Sequence, residues 1–218
     1  MIPSGDARGT FSRIYDEDAW NGGSGAGSAE DATTFYRGVV ENLCRARDVR
    51  SVLDIGCGDW QLGSLVDWSQ VRYVGVDVVP TVIEANRQRY ARPEVSFEVA
   101  DARQGVLPDA DLLLVKDVLQ HWPNDDVATF LDAHLRRYRY VLLTNDIASV
   151  QWTGPVNHEV PLGGWRPVDL EMAPFGRPAN WRGEYDVRGE WTKRMVLYAS
   201  GAARATRWRP GSALRRLP

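Results

Sequence analysis

A chain of 218 residues with 44% hydrophobic and 25% charged residues can bury one α/β core and is too short for two. It holds no run of 18 apolar residues, which excludes a membrane-spanning helix, and Met1–Thr10 lacks the apolar stretch of an export signal, so a cytoplasmic protein is expected. The 29 acids outnumber the 26 bases, and Arg204, Arg207, Arg209, Arg215 and Arg216 crowd the last sixteen residues, so the body is acidic, which argues against a nucleic-acid groove and for neutral or cationic small molecules.

In chain order, residues 16–30 are rich in Gly and Ser around Trp20 and read as a loop. Residues 31–47 place Phe35, Val39, Val40 and Leu43 at helical spacing behind Asp31, a plausible N-cap. Ser51–Ile55 is a short apolar run ending at Gly56, a buried strand. Leu62, Leu65 and Val66 suggest a short helix, and Val71–Val76 a second strand closed by Asp77. Pro80 opens a helix to about Tyr90, since proline suits the first helical turn. Val95–Val99 and Leu112–Val115 are the next strands, 125–137 is a helix, and Tyr138–Leu143 is a fifth strand. Such alternation means parallel βαβ units and a doubly wound sheet. Residues 147–181 break it with five prolines, and a loop of that length is usually functional. Tyr185–Val187 and Trp191–Ala199 close the fold as an antiparallel hairpin. The expectation is one α/β domain over 1–202, a mostly parallel seven-stranded sheet with an antiparallel C-terminal hairpin. Segment 1–30 would cap it, 147–181 would cover substrate, and 203–218 would be a basic tail, read as a solvated end.

The strongest chemical signal is Val52-Leu53-Asp54-Ile55-Gly56-Cys57-Gly58, a strand entering a glycine turn. Glycines let the backbone approach a cofactor closely. A dinucleotide site needs a third glycine where Gln61 stands. The Asp54 carboxylate would repel a pyrophosphate and attract a sulfonium or ammonium group. The sign of that charge favours S-adenosylmethionine over a nicotinamide cofactor. Asp77, 19 residues after Gly58, is placed to accept from ribose hydroxyls, and Asp101-Ala102 from an adenine amino group. One acid at a strand end is an ordinary cap; three, with GxG after the first, speak for a site.

VLDIGCG, GVD and VAD at these spacings resemble the motifs of class I S-adenosylmethionine-dependent methyltransferases over about residues 50–145. The resemblance implies Gly56, Cys57 and Gly58 beneath the methionine part of the cofactor and Asp54 near its amino group. It implies Asp77 and Val78 at the ribose, Asp101 and Ala102 at the adenine, and Lys116 at the end of the fourth strand. Tyr15, Trp20, Ser24-Gly25-Ala26-Gly27-Ser28, Asp59-Trp60 and Asp117–His121 further resemble a bacterial small-molecule group that includes aminoglycoside N-methyltransferases of antibiotic biosynthesis. That implies Trp20 and Ser28 folding over the cofactor; composition alone reads the same segment as a flexible linker.

The crevice of an open α/β sheet lies at the carboxyl ends of its strands, where Lys116–Pro123 falls. Asp117 and His121 are four apart, which one helical turn would bring to one face. His121 is the candidate base, with Asp117 orienting it or touching cofactor; the alternative is His121 packed on Trp122. His134 reads as a surface residue. Tyr15, Asp16, Asp146, His158 and Trp165 are the candidate substrate contacts, from the acidic N-terminal segment and the 157–171 cap. Trp152, Trp165 and Trp181 either stack on ligand or bury the loop. No metal is expected: Cys44 and Cys57 lack ligand spacing and are expected as free thiols, while Asp117 with Asn145-Asp146 leaves a magnesium alternative. The partner expected is a cationic small molecule, an aminosugar amine, with hydroxyl methylation as runner-up. A nicotinamide oxidoreductase and a non-catalytic methyltransferase-fold partner are the rivals from other classes.

Overall fold

The computed structural model describes residues 5–20, 22–24, 30–201 and 203. Ser28 and the tail beyond Ala203 lie outside them. The elements are α1 (Ala7–Asp16), α2 (Glu30–Ala46), β1 (Ser51–Ile55), β2 (Arg72–Asp77), α3 (Pro80–Tyr90), β3 (Val95–Val99), β4 (Leu112–Lys116), α4 (Asn124–His134), β5 (Tyr140–Ser149), β6 (Trp181–Val187) and β7 (Trp191–Ala199). They form one seven-stranded sheet of order β3-β2-β1-β4-β5-β7-β6. The first five strands are parallel, while β7 runs antiparallel between β5 and β6. The order reverses between β1 and β4, where an open α/β sheet opens its crevice.

The two-residue period of a strand divides the core in two. Leu53, Ile55, Leu113, Val115, Val141 and Leu143 face α4, whose Val127, Phe130 and Leu131 cover them. Val52, Leu112, Leu114 and Leu142 face the other way, onto Val39, Val40 and Leu43 of α2. Trp60 and Trp68 are buried in that second layer, against Tyr73.

Several expectations need correction. α1 was not foreseen; Asp6 caps it by accepting from Gly9 N at 3.1 Å. The short helix near Leu62 is a single 3-10 turn, Gly63–Leu65. β5 continues to Ser149, because pairing with β7 carries it past the parallel part of the sheet. α4 ends at His134, which is buried rather than on the surface. The segment 150–180 is not a loose connection: Val160, Val168, Leu170 and Phe175 join the α4-side core. No described helix is long and apolar enough to cross a membrane.

Candidate active site

The glycine turn after β1 is held from below. Gly56 N and Cys57 N both donate to Val76 O, at 2.7 and 3.1 Å. Gly56 has φ +69° and a Cβ there would stand 2.3 Å from Val118 Cγ2, so only glycine fits. Asp77 closes the turn: it accepts from Gly58 N at 3.1 Å and Val79 N at 3.0 Å. Burial pushes its carboxyl up, and these backbone donors restrain the rise. Above the turn lies a partly open cavity that reaches from the glycine turn along the ends of β2, β3 and β4.

The cavity runs along the strand ends. Gly56 and Gly58 floor it, Asp77 and Val78 stand at the end of β2, and Ala100, Asp101 and Ala102 at the end of β3. Burial alone would raise the Asp101 carboxyl; hydrogen bonds and charge from Arg103 outweigh it and hold it below the usual range. Arg103 in turn bridges Asp101 and Asp126, at 2.8 and 3.0 Å. A glycine floor, a fixed carboxylate at mid-length and an apolar-edged slot with an ionised acid beyond it fit the methionine, ribose and adenine parts of S-adenosylmethionine.

The roof is α1 with the residues after it. Phe11, Tyr15 and Trp20 line the cavity. The Tyr15 hydroxyl lies 3.1 Å from Ser24 Oγ, which donates to Asp59 Oδ1 at 2.8 Å and accepts from Asp59 N at 2.9 Å. This latch sits directly on Gly58, where a Cβ would come 2.0 Å from Ser24 Oγ. Tyr15, expected as a substrate contact, thus stands over the glycine floor of the cavity.

Lys116, Asp117, Val118, His121 and Trp122 line the far end. Asp117 takes φ +58°, a left-handed conformation open to Asp because its short side chain bonds locally. Burial opposes its ionisation, but Lys116 and Lys193 outweigh it and bring its pKa to about 2. Lys193 Nζ donates to Asp117 Oδ1 at 2.7 Å and to Asp146 Oδ1 at 2.6 Å. An ammonium thus fills the place that the magnesium alternative requires, and the described residues hold no cluster of three or more metal-type ligands.

The expected Asp117–His121 bond is not formed. The chain turns left-handed at Asp117 and then enters the 3-10 turn Leu119–His121, so the four-residue spacing of an α-helix does not apply. His121 Nδ1 instead lies 2.8 Å from Gly164 O. A carbonyl only accepts, so Nδ1 carries the proton and Nε2 the lone pair. Nε2 has no hydrogen bond among the described residues. Burial lowers the His121 pKa more than the Gly164 bond and Asp117 raise it. The imidazole is therefore neutral at neutral pH. Its ring meets Trp20 at 5.3 Å and lies roughly perpendicular to Phe11 at 6.4 Å, rather than on Trp122, as the alternative reading had it.

Other expected residues stand outside the cavity. Asp54 accepts from the Tyr73 hydroxyl at 2.6 Å and does not line it. The Cys57 side chain points away, towards Gly75 and Phe97. Asp16 is exposed at the end of α1. Trp165 Nε1 donates to Asp146 at 3.2 Å, so both brace the far end from behind. His158 stacks on Trp152 at 4.7 Å and takes no part. Cys44 and Cys57 are free thiols. Sequence reasoning missed Lys193, although it shares its strand face with buried Met195 and Leu197, where a lysine needs a partner. It also missed Phe11, which lines the cavity.

Comparison with known proteins agrees with this geometry. A family model described as a methyltransferase domain matches residues 52–139. A malonyl-[acyl-carrier protein] O-methyltransferase of Acetivibrio thermocellus is 30% identical over 76 residues, 34% of this chain and 27% of that protein. The chain thus matches about a quarter of that relative's length. The fold resembles N-methyltransferase NodS from Bradyrhizobium japonicum in complex with S-adenosylhomocysteine, with TM-score 0.63, 14% identity and 89% and 98% of the two chains covered. It also resembles magnesium protoporphyrin IX methyltransferase from Synechocystis with bound S-adenosylmethionine, with TM-score 0.61, 14% identity and 92% and 100% covered. Residues 52–139 thus resemble a methyltransferase domain, and the chain shares the Rossmann-like fold of these solved methyltransferases.

Proposed function

We propose that the chain transfers the methyl group of S-adenosylmethionine to an amine of a small molecule of the aminosugar type. The observation that carries this reading is His121: a neutral imidazole whose tautomer is fixed by Gly164 O and whose Nε2 has no partner among the described residues at the cavity's far end. The bound cofactor would supply an electrophilic methyl, so the protein has only to align the acceptor and manage its proton. An amine attacks as the free base. His121 Nε2 takes the ammonium proton, and Asp117, its charge shared by Lys116 and Lys193, accepts a hydrogen bond from the acceptor amine. Phe11 and Trp20 close the same end and exclude water. NodS is an N-methyltransferase of this fold, so the scaffold accommodates such chemistry.

A second reading, hydroxyl methylation, is favoured by the charge pairing behind the cavity. Asp169 and Glu171 of the cap are tied to Arg194 and Arg182, and Asp146 to Lys193. The cap is therefore less acidic than its composition suggests. The test is transfer of labelled methyl into matched pairs of acceptors, an aminosugar and the corresponding neutral sugar, with phenols and carboxylic acids as controls. Label in the aminosugar alone is the expected outcome; label only in hydroxyl or carboxyl acceptors overturns the amine.

A further inference from the structure

Arg166 belongs to none of the contacts above, yet it is completely buried. Its guanidinium donates to Leu119 O at 3.0 Å and to Asn124 Oδ1 at 2.7 Å. Among the described residues its Nε is buried without a hydrogen-bond partner, and no salt bridge reaches its guanidinium. Glu159 is the one acid that pulls on its charge, and burial wins, lowering its pKa to about 10. Burying a cation against neutral oxygens is costly, and a well-packed apolar side chain of similar volume is often at least as stabilising.

The neighbours of Arg166 explain where that cost goes. Gly163 N donates to His121 O at 2.8 Å, and Gly164 O holds His121 Nδ1 at 2.8 Å. Trp165 holds Asp146, and Arg166 N donates to Gln120 O at 3.3 Å. Four consecutive residues thus grip the 3-10 turn and its bracing acid. Gly164 N itself donates to Pro161 O at 2.9 Å. The position of its carbonyl follows from that bond and from those on either side, among which the Arg166 fork supplies the cationic donor that reaches past the turn to Asn124.

We infer that Arg166 is a positioning residue: by clamping segment 163–166 to the Leu119–His121 turn, it keeps Gly164 O on His121 Nδ1 and so presents the basic Nε2 to the acceptor. This role rests on the proposed function of His121 as base. Free imidazole has no such constraint and exchanges its tautomers, so loss of the clamp is read directly at the ring nitrogens.

The experiment is nitrogen NMR of the full chain labelled with ¹⁵N-histidine. The three histidines are assigned by single substitutions of His134 and His158. Wild type is expected to show His121 with a protonated Nδ1 and a bare Nε2. Arg166→Met is expected to shift the ring to a tautomer mixture and lower turnover at least tenfold, with S-adenosylhomocysteine affinity within about twofold of wild type. Arg166→Lys keeps a cation and loses the fork; it is expected to fall between the two, and serves alone if Arg166→Met does not fold. A folded variant of either kind with the wild-type ring spectrum overturns the role of Arg166. Normal turnover in His121→Ala would instead overturn the base, while the ring spectrum still decides whether Arg166 sets the tautomer.

Discussion

Asp77 joins three things with two oxygens. It fixes the glycine turn through Gly58, opens α3 through Val79, and faces the cavity where ribose hydroxyls would bind. Asp77→Asn places an amide donor against a backbone donor and removes the charge. S-adenosylhomocysteine binding is expected to weaken by about 1.5–3 kcal/mol, roughly ten- to hundredfold in Kd, with a lower Tm as well. Calorimetric titration well below the melting range checks this, and an unchanged Kd would remove Asp77 from the site. Asp54 shows the limit of motif reading at the same scale. Its place before the glycines was legible, but its charge was assigned to the cofactor. Strand alternation turns it instead onto the α2-side layer, where Tyr73 stands two residues from its register partner Gly75. Burial pushes its carboxyl up to about 7, against the pull of Tyr73 and Lys116. A carboxyl raised on folding stabilises at pH below its unfolded value of about 4, and that contribution is lost as pH climbs through the folded value. The Tm gap between wild type and Asp54→Asn is therefore expected to shift against wild type as pH rises from about 5 to 8. A gap independent of pH over that range would place the Asp54 titration elsewhere.

The strands and helices of the parallel half were legible because each carries one period cleanly and ends on glycine, proline or aspartate. α1 was not, although Asp6 and the stripe Ala7, Phe11, Ile14, Tyr15 satisfy helical spacing. It is ten residues long, and helices of that length are held by tertiary packing rather than by propensity. Its packing partner is the cofactor turn, which no local pattern reveals. The contact between the two elements has a sharp test. Gly58 is at φ +56°, and its missing side chain makes room for Ser24 Oγ. Gly58→Ala is expected to cost about 1–2 kcal/mol in backbone strain and to displace the latch, with a large loss of S-adenosylhomocysteine affinity. Adding Ser24→Gly relieves the clash and leaves the strain, so the double variant is expected to recover part of that affinity. A double variant no better than Gly58→Ala alone would show that the latch does not bear on the turn.

For the whole molecule, composition and alternation were enough to give a mostly parallel seven-stranded sheet with an antiparallel C-terminal hairpin, because parallel βαβ units admit few topologies and the antiparallel pair was marked by its own turn; the strand order comes from the structure. The same composition misjudged the electrostatics of the cap, since charge counts carry no information on pairing. Asp146, Asp169 and Glu171 all face a lysine or arginine, so the acids that act at long range near the roof include Asp16, Glu17 and Asp18, exposed at the end of α1, besides Asp59 of the latch and Glu159 of the cap. If the acceptor is a cationic amine, these acids and the net negative body steer it, and exposed charges are screened beyond about 8 Å at physiological ionic strength and about 3 Å at 1 M salt. Raising salt is then expected to raise KM for an aminated acceptor severalfold while kcat holds, because Asp117 is largely enclosed and screened less than the exposed acids. Asp16→Asn with Asp18→Asn is expected to raise KM at low salt and to flatten its salt dependence, since part of the charge that salt screens is already gone. Steady-state kinetics of wild type and the double variant across ionic strength check both halves. A KM indifferent to salt and to the two substitutions would leave the paired cap as the whole electrostatic story, and a neutral hydroxyl acceptor as the reading that fits it.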